Sequence, residues 1–227
     1  MPGVTVVTVN YNALPFVSVL VGAVRRFAPE ARLLVVDNHS TDGSVEWLAA
    51  AGVDVMRLRQ NIGHGPALEL GFLKVRTEIA IALDIDAFPI SADWLPALLQ
   101  PLDDGADVAG ACQTPAATHY GREYIHPCCL AMRTRDFAAR TDSFRARKDE
   151  WDVGEEITLR SKRIAGLAPT SIRGPGAVGT VFGDVVYHNY YSVRFSVTTA
   201  DRIDWVDRGQ PELAWSEAVA RYFPDQS

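Results

Sequence analysis

Apolar residues along the chain come in short runs, and run after run ends on polar side chains. Residues 4–9 (Val-Thr-Val-Val-Thr-Val) are β-branched and lead into Asn10, Tyr11 and Asn12. Such a run predicts a strand covered on both faces. Residues 33–36 repeat the pattern and end on Asp37, Asn38, His39 and Ser40. Residues 53–58 read as a third strand, and residues 79–83 form a further run that ends on Asp84 and Asp86. Helical periodicity fills the intervals, over 16–27, from 41–44 to about 51, over 66–75 and over 91–102. Pro15 suits the first turn of the first helix and Gly52 the end of the second. Thr41, Asp42 and Ser44 are expected to cap that second helix.

Strand–helix alternation of this kind predicts an α/β fold with a mostly parallel central sheet flanked by helices. Ligands of such sheets bind outside the carboxyl ends of the strands. Asn10, Asp37 and Asp84 all stand at those ends. After about residue 102 the rhythm changes. Residues 108–112, 128–132 and 181–187 read as strands, and 155–164 and 211–222 as helices. The expectation is one domain in two parts, residues 1–110 and a mixed extension over 111–227.

Charge narrows the range of partners. A formal net charge of −6 over 227 residues argues against a non-specific nucleic-acid binder, which needs a basic face. The cysteines Cys112, Cys128 and Cys129 are odd in number and form no C-x-x-C pair, so free thiols in a reducing compartment are expected. There is no basic leader and no run of 18 apolar residues, so the expectation is a soluble cytoplasmic protein with no integral membrane segment.

Alternation along a strand puts Asp84 and Asp86 on one face and Ile85 on the other. Two neighbouring carboxylates repel and are kept ionised by a divalent cation or a strong positive partner. Taken alone they fit solvated turn residues as well. Asp37 at its strand end fits either a ligand contact or an Asx turn. Glu155 and Glu156 begin a predicted helix, where the helix dipole favours acids with or without a catalytic role.

Taken in order, these pieces resemble the family 2 glycosyltransferases, which have the GT-A fold. The matching pieces begin with the first strand and Asn10-Tyr11-Asn12, then residues 35–44, then Asn61-Ile62-Gly63 with its helix. They continue with Leu83-Asp84-Ile85-Asp86 as a D-x-D, and Gly154-Glu155-Glu156 before a helix containing Arg160. The resemblance spans roughly residues 4–190. It implies transfer of a sugar from a nucleotide diphosphate donor, with inversion, to a hydroxyl on a small-molecule or glycan acceptor. UDP-sugars are the first expectation and dTDP- or GDP-sugars the next. Residues 1–110 then become the nucleotide-sugar-binding half, and 111–227 the half for the acceptor and the catalytic base. The nucleotide falls to Asn10, Tyr11, Asn12, Asp37, Asn61 and Asp84. Mg²⁺ or Mn²⁺ falls to Asp86, with Asp84 and His188 as partners in the metal site. The family has Glu-Asp where this chain has Glu155-Glu156, which puts the base at Glu156, with Glu155 and then Asp152 as its competitors. Arg173 and Arg194 are candidate diphosphate partners, and Tyr120, Tyr124 and His126 candidates for the acceptor side.

Other signals lead nowhere comparable. Gly174 to Gly179 matches G-x-G-x-x-G, but the sequel is strand-like, so a loop that closes over the donor is expected instead of a dinucleotide fingerprint. His119, His126, Cys128 and Cys129 match no structural zinc spacing. Trp47, Trp94 and Trp215 lie on predicted helices and are expected in the core. Two competing functions remain. A sugar-1-phosphate nucleotidyltransferase would carry a glycine-rich basic loop where Asn10-Tyr11-Asn12 stands. A non-catalytic nucleotide-binding α/β module would not need Asp84, Asp86 and Glu156 together.

Overall fold

The computed structural model describes residues 3–115, 121–139, 143–147, 150–172, 179–189 and 210–224. Strand β1 (Val4–Asn10) is buried along its whole length. It lies between β2 (Arg32–Asp37) and β4 (Ile79–Leu83), both parallel to it. The parallel set continues beyond β2 with β3 (Asp54–Arg57). On the other side β4 pairs with the antiparallel β7 (Tyr124–Arg133). Then come β6 (Val108–Gln113), antiparallel to β7, and β8 (Ile164–Leu167), parallel to β6. The order is β3-β2-β1-β4-β7-β6-β8.

Helices cover both faces because successive strand residues point to opposite sides. Val6, Val35 and Ile81 join Val17, Leu20 and Val24 of α1 (Leu14–Phe27) and Trp94 and Leu98 of α4 (Trp94–Asp103) in one apolar cluster. Val7, Val36 and Ala80 face the other way and join Leu68 and Phe72 of α3 (His64–Lys74). Phe137 of α5 (Thr134–Ala139) and Phe144 close this second cluster edge-on over Phe72. The short helices α2 (Ser44–Ala50) and α6 (Glu155–Leu159) and the late helix α7 (Gln210–Tyr222) complete the helical set among the described residues.

Helix α3 approaches the sheet closely at Gly71, where an added Cβ would stand 2.5 Å from Val7 Cγ1 and 2.8 Å from Val36 Cγ2. Both valines sit on paired strands and have little rotamer freedom. Overpacking here costs about 1–3 kcal/mol, while alanine regains about 1 kcal/mol of helix propensity. Because the clashing methyls cannot swing away, the clash is expected to prevail. Gly71→Ala should lower the urea midpoint at unchanged slope, with a net loss of up to about 2 kcal/mol.

A second sheet stands against the α1 and α4 face, in the order β5-β11-β10-β9, all antiparallel. Its strands are β5 (Ala87–Pro89), β9 (Pro169–Ile172), β10 (Gly179–Phe182) and β11 (Val186–Asn189). The single strand expected over 181–187 is instead a hairpin. Gly183 and Asp184 both have positive φ, 56° and 57°, and the Val185 amide donates to the Phe182 carbonyl. That left-handed pair matches the twist of antiparallel strands. Phe88 of β5 packs on Trp215 and Phe223, which seats α7 against this sheet. Trp94 and Trp215 are core residues as expected, and Trp47 packs on the same cluster half-buried.

The helix expected over 155–164 ends at Leu159. Asp107 Oδ2, from the turn before β6, accepts the Lys162 and Arg163 amides and draws the chain out into β8. No helix among the described residues is long and apolar enough to cross a membrane. Cys112, Cys128 and Cys129 are free thiols.

Candidate active site

The register of the sheet decides what meets at its rim. Asn10 and Asp37 are paired residues at the ends of β1 and β2. Asn10 Nδ2 donates to Asp37 Oδ1 at 3.0 Å and reaches Ser44 Oγ at 2.7 Å and Ser40 Oγ at 3.0 Å. Asp37 Oδ2 accepts the Ser40 amide. Both residues are almost fully buried. The next loop is tied in as well, since the Asn12 amide donates to Ser40 Oγ and Asn12 Oδ1 accepts the Thr41 amide. Asn12 holds a left-handed conformation (φ 49°), which asparagine tolerates. Tyr11 is half-buried beside it.

Of Thr41, Asp42 and Ser44, it is Asp42 whose side chain meets the start of α2, its Oδ1 accepting the Ser44 amide at 3.1 Å. The N-cap of α2 is Gly43, which makes no side-chain cap bond. Ser44 turns inward to Asn10, and Asp42 accepts the Leu14 amide, satisfying the first turn of α1 from a different loop. Burial would raise the Asp42 carboxyl, but the Ser44 hydroxyl and the Leu14 and Ser44 amides outweigh it and lower its pKa. Asn61 likewise acts within its loop, where its Oδ1 accepts from Asn38 Nδ2 and from the Gly63 amide, and Asn38 Oδ1 accepts the Ile62 amide.

Strand β4 stops at Leu83, and the Ala87 amide closes a turn on the Asp84 carbonyl. Asp84 and Asp86 are therefore turn residues, not members of an extended strand, yet their carboxylates still converge. The reason lies in the second sheet. β5 leaves directly from Asp86 and pairs with β11, placing His188 opposite Ala87, and the Asn189 amide donates to the Asp86 carbonyl. His188 Nε2 then lies 3.4 Å from Asp86 Oδ1 and 3.6 Å from Asp84 Oδ2. Ligand atoms of Asp84, Asp86 and His188 all fall within 4.8 Å of one another. Two carboxylates and an imidazole are a donor set suited to Mn²⁺ or Mg²⁺ in type and number, and at this spacing one ion could reach all three.

Two more histidines reach this point. His64, the first residue of α3, places Nε2 3.2 Å from Asp84 Oδ1. The pairing of β7 with β4 brings His126 Nδ1 to 4.0 Å from Asp84 Oδ2. Burial alone would raise the Asp84 carboxyl, but the His64 hydrogen bond and the surrounding imidazoles hold it well below the ordinary carboxylate range. Burial pushes His126 down to about 4, against the pull of Asp84, so its ring is neutral near pH 7. His64 was not singled out by its sequence context, although it too follows a strand at the carboxyl rim. His126, expected on the acceptor side, faces Asp84. Tyr124 is buried, with its ring 5.8 Å from that of His126.

The acidic start of α6 is more constrained than its sequence suggests. Glu155 Oε1 receives Arg122 Nε at 2.6 Å and Oε2 the Asp152 amide at 2.9 Å. Glu156 pairs with Arg160 Nη2 at 2.8 Å and accepts the Ser143 amide at 3.3 Å. Asp152 lies close enough to His126 to draw that ring toward its charged form. Arg173, Arg194, His119, Tyr120 and the glycine-rich stretch up to residue 178 lie outside the described residues.

A mostly parallel sheet with an acid at the end of each of β1's neighbours, joined by an antiparallel extension, defines an α/β protein of the GT-A type. Residues 5–148 match the profile of Glycosyl transferase family 2, and the chain belongs to that family. Uncharacterized glycosyltransferases of Mycobacterium tuberculosis and Mycobacterium bovis are 37% identical over 86 residues, 38% of this chain. The matched stretch is also only 38% of each relative's length. Among solved structures, a mannosyltransferase of Pyrobaculum calidifontis, in complex with GDP-Man and Mn²⁺, superposes with a TM-score of 0.58. It is 20% identical, over 73% of this chain and 54% of its own. S. aureus TarS, residues 1–349, superposes with a TM-score of 0.59 at 15% identity, over 98% of this chain and 72% of its own. At these identities the likeness concerns the fold.

Proposed function

We propose that the protein is an inverting glycosyltransferase that moves a sugar from a nucleotide diphosphate donor to a hydroxyl acceptor, using a divalent cation. The observation that carries this reading is the convergence of Asp84, Asp86 and His188 within 4.8 Å, on the same sheet rim as the Asn10–Asp37 pair. The P. calidifontis mannosyltransferase, with GDP-Man and Mn²⁺, lends it support.

Asp84, Asp86 and His188 would hold Mg²⁺ or Mn²⁺. The cation supplies charge neutralisation for the departing nucleoside diphosphate. Asp84 arrives already ionised and oriented by His64. Asp37, buried and held by Asn10, offers a hydrogen-bond acceptor to the base, and Tyr11 an aromatic edge beside it. Asn12 and Asn61 act through the loops that they hold together. The base that takes the acceptor proton comes from the acidic turn before α6, with Glu156 in that role. Glu155 is sealed by Arg122 and the Asp152 amide, which suits it to supporting the turn. UDP-sugars are the first donors to test, then dTDP- and GDP-sugars.

A thermal-shift screen of these donors with and without Mn²⁺ tests the reading. A donor at 100 times its dissociation constant adds about 2.7 kcal/mol. For a chain of this size that is about 5–10 °C in Tm. One base is expected to give the shift with Mn²⁺ present and little without it. No shift with any donor, with or without Mn²⁺, would overturn the reading.

A further inference from the structure

Strand β7 and the β5–β11 pair bring together a donor set that differs in chemistry from the two aspartates. His126 and Cys128 are two residues apart on β7 and share a face. Ligand atoms of His126, Cys128 and His188 lie within 4.8 Å of one another. Cys128 is fully buried, and its carbonyl accepts the Asp84 amide.

We propose that His126, Cys128 and His188 form a soft-cation site for Zn²⁺, with Asp84 as fourth ligand, overlapping the Asp84–Asp86–His188 set. Two imidazoles, a thiolate and a carboxylate are a zinc donor set, while Mg²⁺ and Mn²⁺ favour oxygen. Asp84 Oδ2 stands 3.6 Å from His188 Nε2 and 4.0 Å from His126 Nδ1. The edges of a tetrahedral zinc site are about 3.3–3.8 Å at ordinary bond lengths, so Asp84 and the two imidazoles stand near that spacing, while the Cys128 thiol, within 4.8 Å of both imidazoles, would have to draw in to bind. The Cys128 amide donates to His126 Nδ1, and a cation would take over that lone pair. The spacing of His126 and Cys128 gives no zinc motif because the third and fourth ligands come from distant strands. The two sites share His188 and Asp84, so a cation in one excludes a cation from the other. Zn²⁺ is thus expected to displace Mn²⁺ instead of binding beside it.

The cobalt and X-ray absorption measurements need neither transfer activity nor bound Mn²⁺, so they succeed or fail independently of the proposed reaction. Co²⁺ added to the purified protein should give a thiolate charge-transfer band that saturates at one equivalent. The band should vanish in Cys128→Ser and persist in Cys112→Ser. X-ray absorption of the Zn²⁺-loaded wild-type protein should show one sulfur at about 2.3 Å, which decides the matter even if Cys128→Ser does not fold. His126→Gln should weaken Zn²⁺ at least about 10-fold while Mn²⁺ affinity holds within about 2-fold. Zn²⁺ should release bound Mn²⁺, followed by the electron paramagnetic resonance of the freed ion. A shell of oxygen and nitrogen alone, a band that survives in Cys128→Ser, or one Zn²⁺ and one Mn²⁺ bound together would overturn the proposal.

Discussion

Asp86→Asn is expected to abolish cation-dependent donor binding and lower kcat by about three orders of magnitude. The substitution keeps the shape of a side chain that is 6% exposed and removes one of two carboxylates that share His188. Losing several kcal/mol of charge stabilisation on the leaving diphosphate corresponds to about 10³ in rate. Mn²⁺ titration followed by electron paramagnetic resonance should show affinity weakened at least about 100-fold. The substitution also removes a like charge beside Asp84, so a collapse of Tm is not expected. Transfer with Mn²⁺ at the wild-type rate would remove Asp86 from the metal site.

Glu156→Gln is expected to reduce kcat by about 10²–10⁴, the usual contribution of a positioned general base. Donor affinity should stay within about 2-fold, since the amide can still accept from Arg160 and the change leaves the Asp84 side of the site intact. Glu155→Gln should behave differently. Its carboxylate is 1% exposed and meets Arg122 and the Asp152 amide, so the change should lower Tm by loosening the turn. Asp152→Asn is the informative companion, because Asp152 lies toward His126 and so toward the Asp84 cluster. If Asp152→Asn carries the loss in kcat and Glu156→Gln turns over normally, the base is Asp152. Steady-state kinetics and a donor-binding titration on the three variants separate these cases.

The parallel half was legible in the chain for a simple reason. Strands β1, β2 and β4 of that half each carry a contiguous β-branched or aliphatic run, and each run ends where the chain must leave the sheet. Asn10, Asp37 and Asp84 were found by that rule alone, and the register pairs Asn10 with Asp37 as the rule requires. Later elements were harder because their limits are set by remote partners. Helix α6 ends after five residues, and Asp107, some 50 positions earlier, takes the Lys162 and Arg163 amides that follow it. The hairpin of β10 and β11 hides in one apolar stretch, because only the left-handed pair Gly183–Asp184 interrupts it. Ser44 carried a capping signature but turns to Asn10, and Asp42, which accepts the Ser44 amide at the start of α2, also holds the first turn of α1.

The sequence by itself determined the class of sheet, the residues at its carboxyl rim and the family they belong to. All of these follow from local periodicity and from the order of motifs. The resemblance set His188 beside the two aspartates, but only the tertiary structure shows how it reaches them and adds His64, His126 and Cys128. The antiparallel pairing of β5 with β11 carries His188 to Asp86, and the pairing of β7 with β4 carries His126 and Cys128 to Asp84. Long-range register places those atoms, and register depends on which strands find each other, which no local pattern records. The same fact explains why two aspartates at a strand end, read alone, fit a turn as well as a metal site.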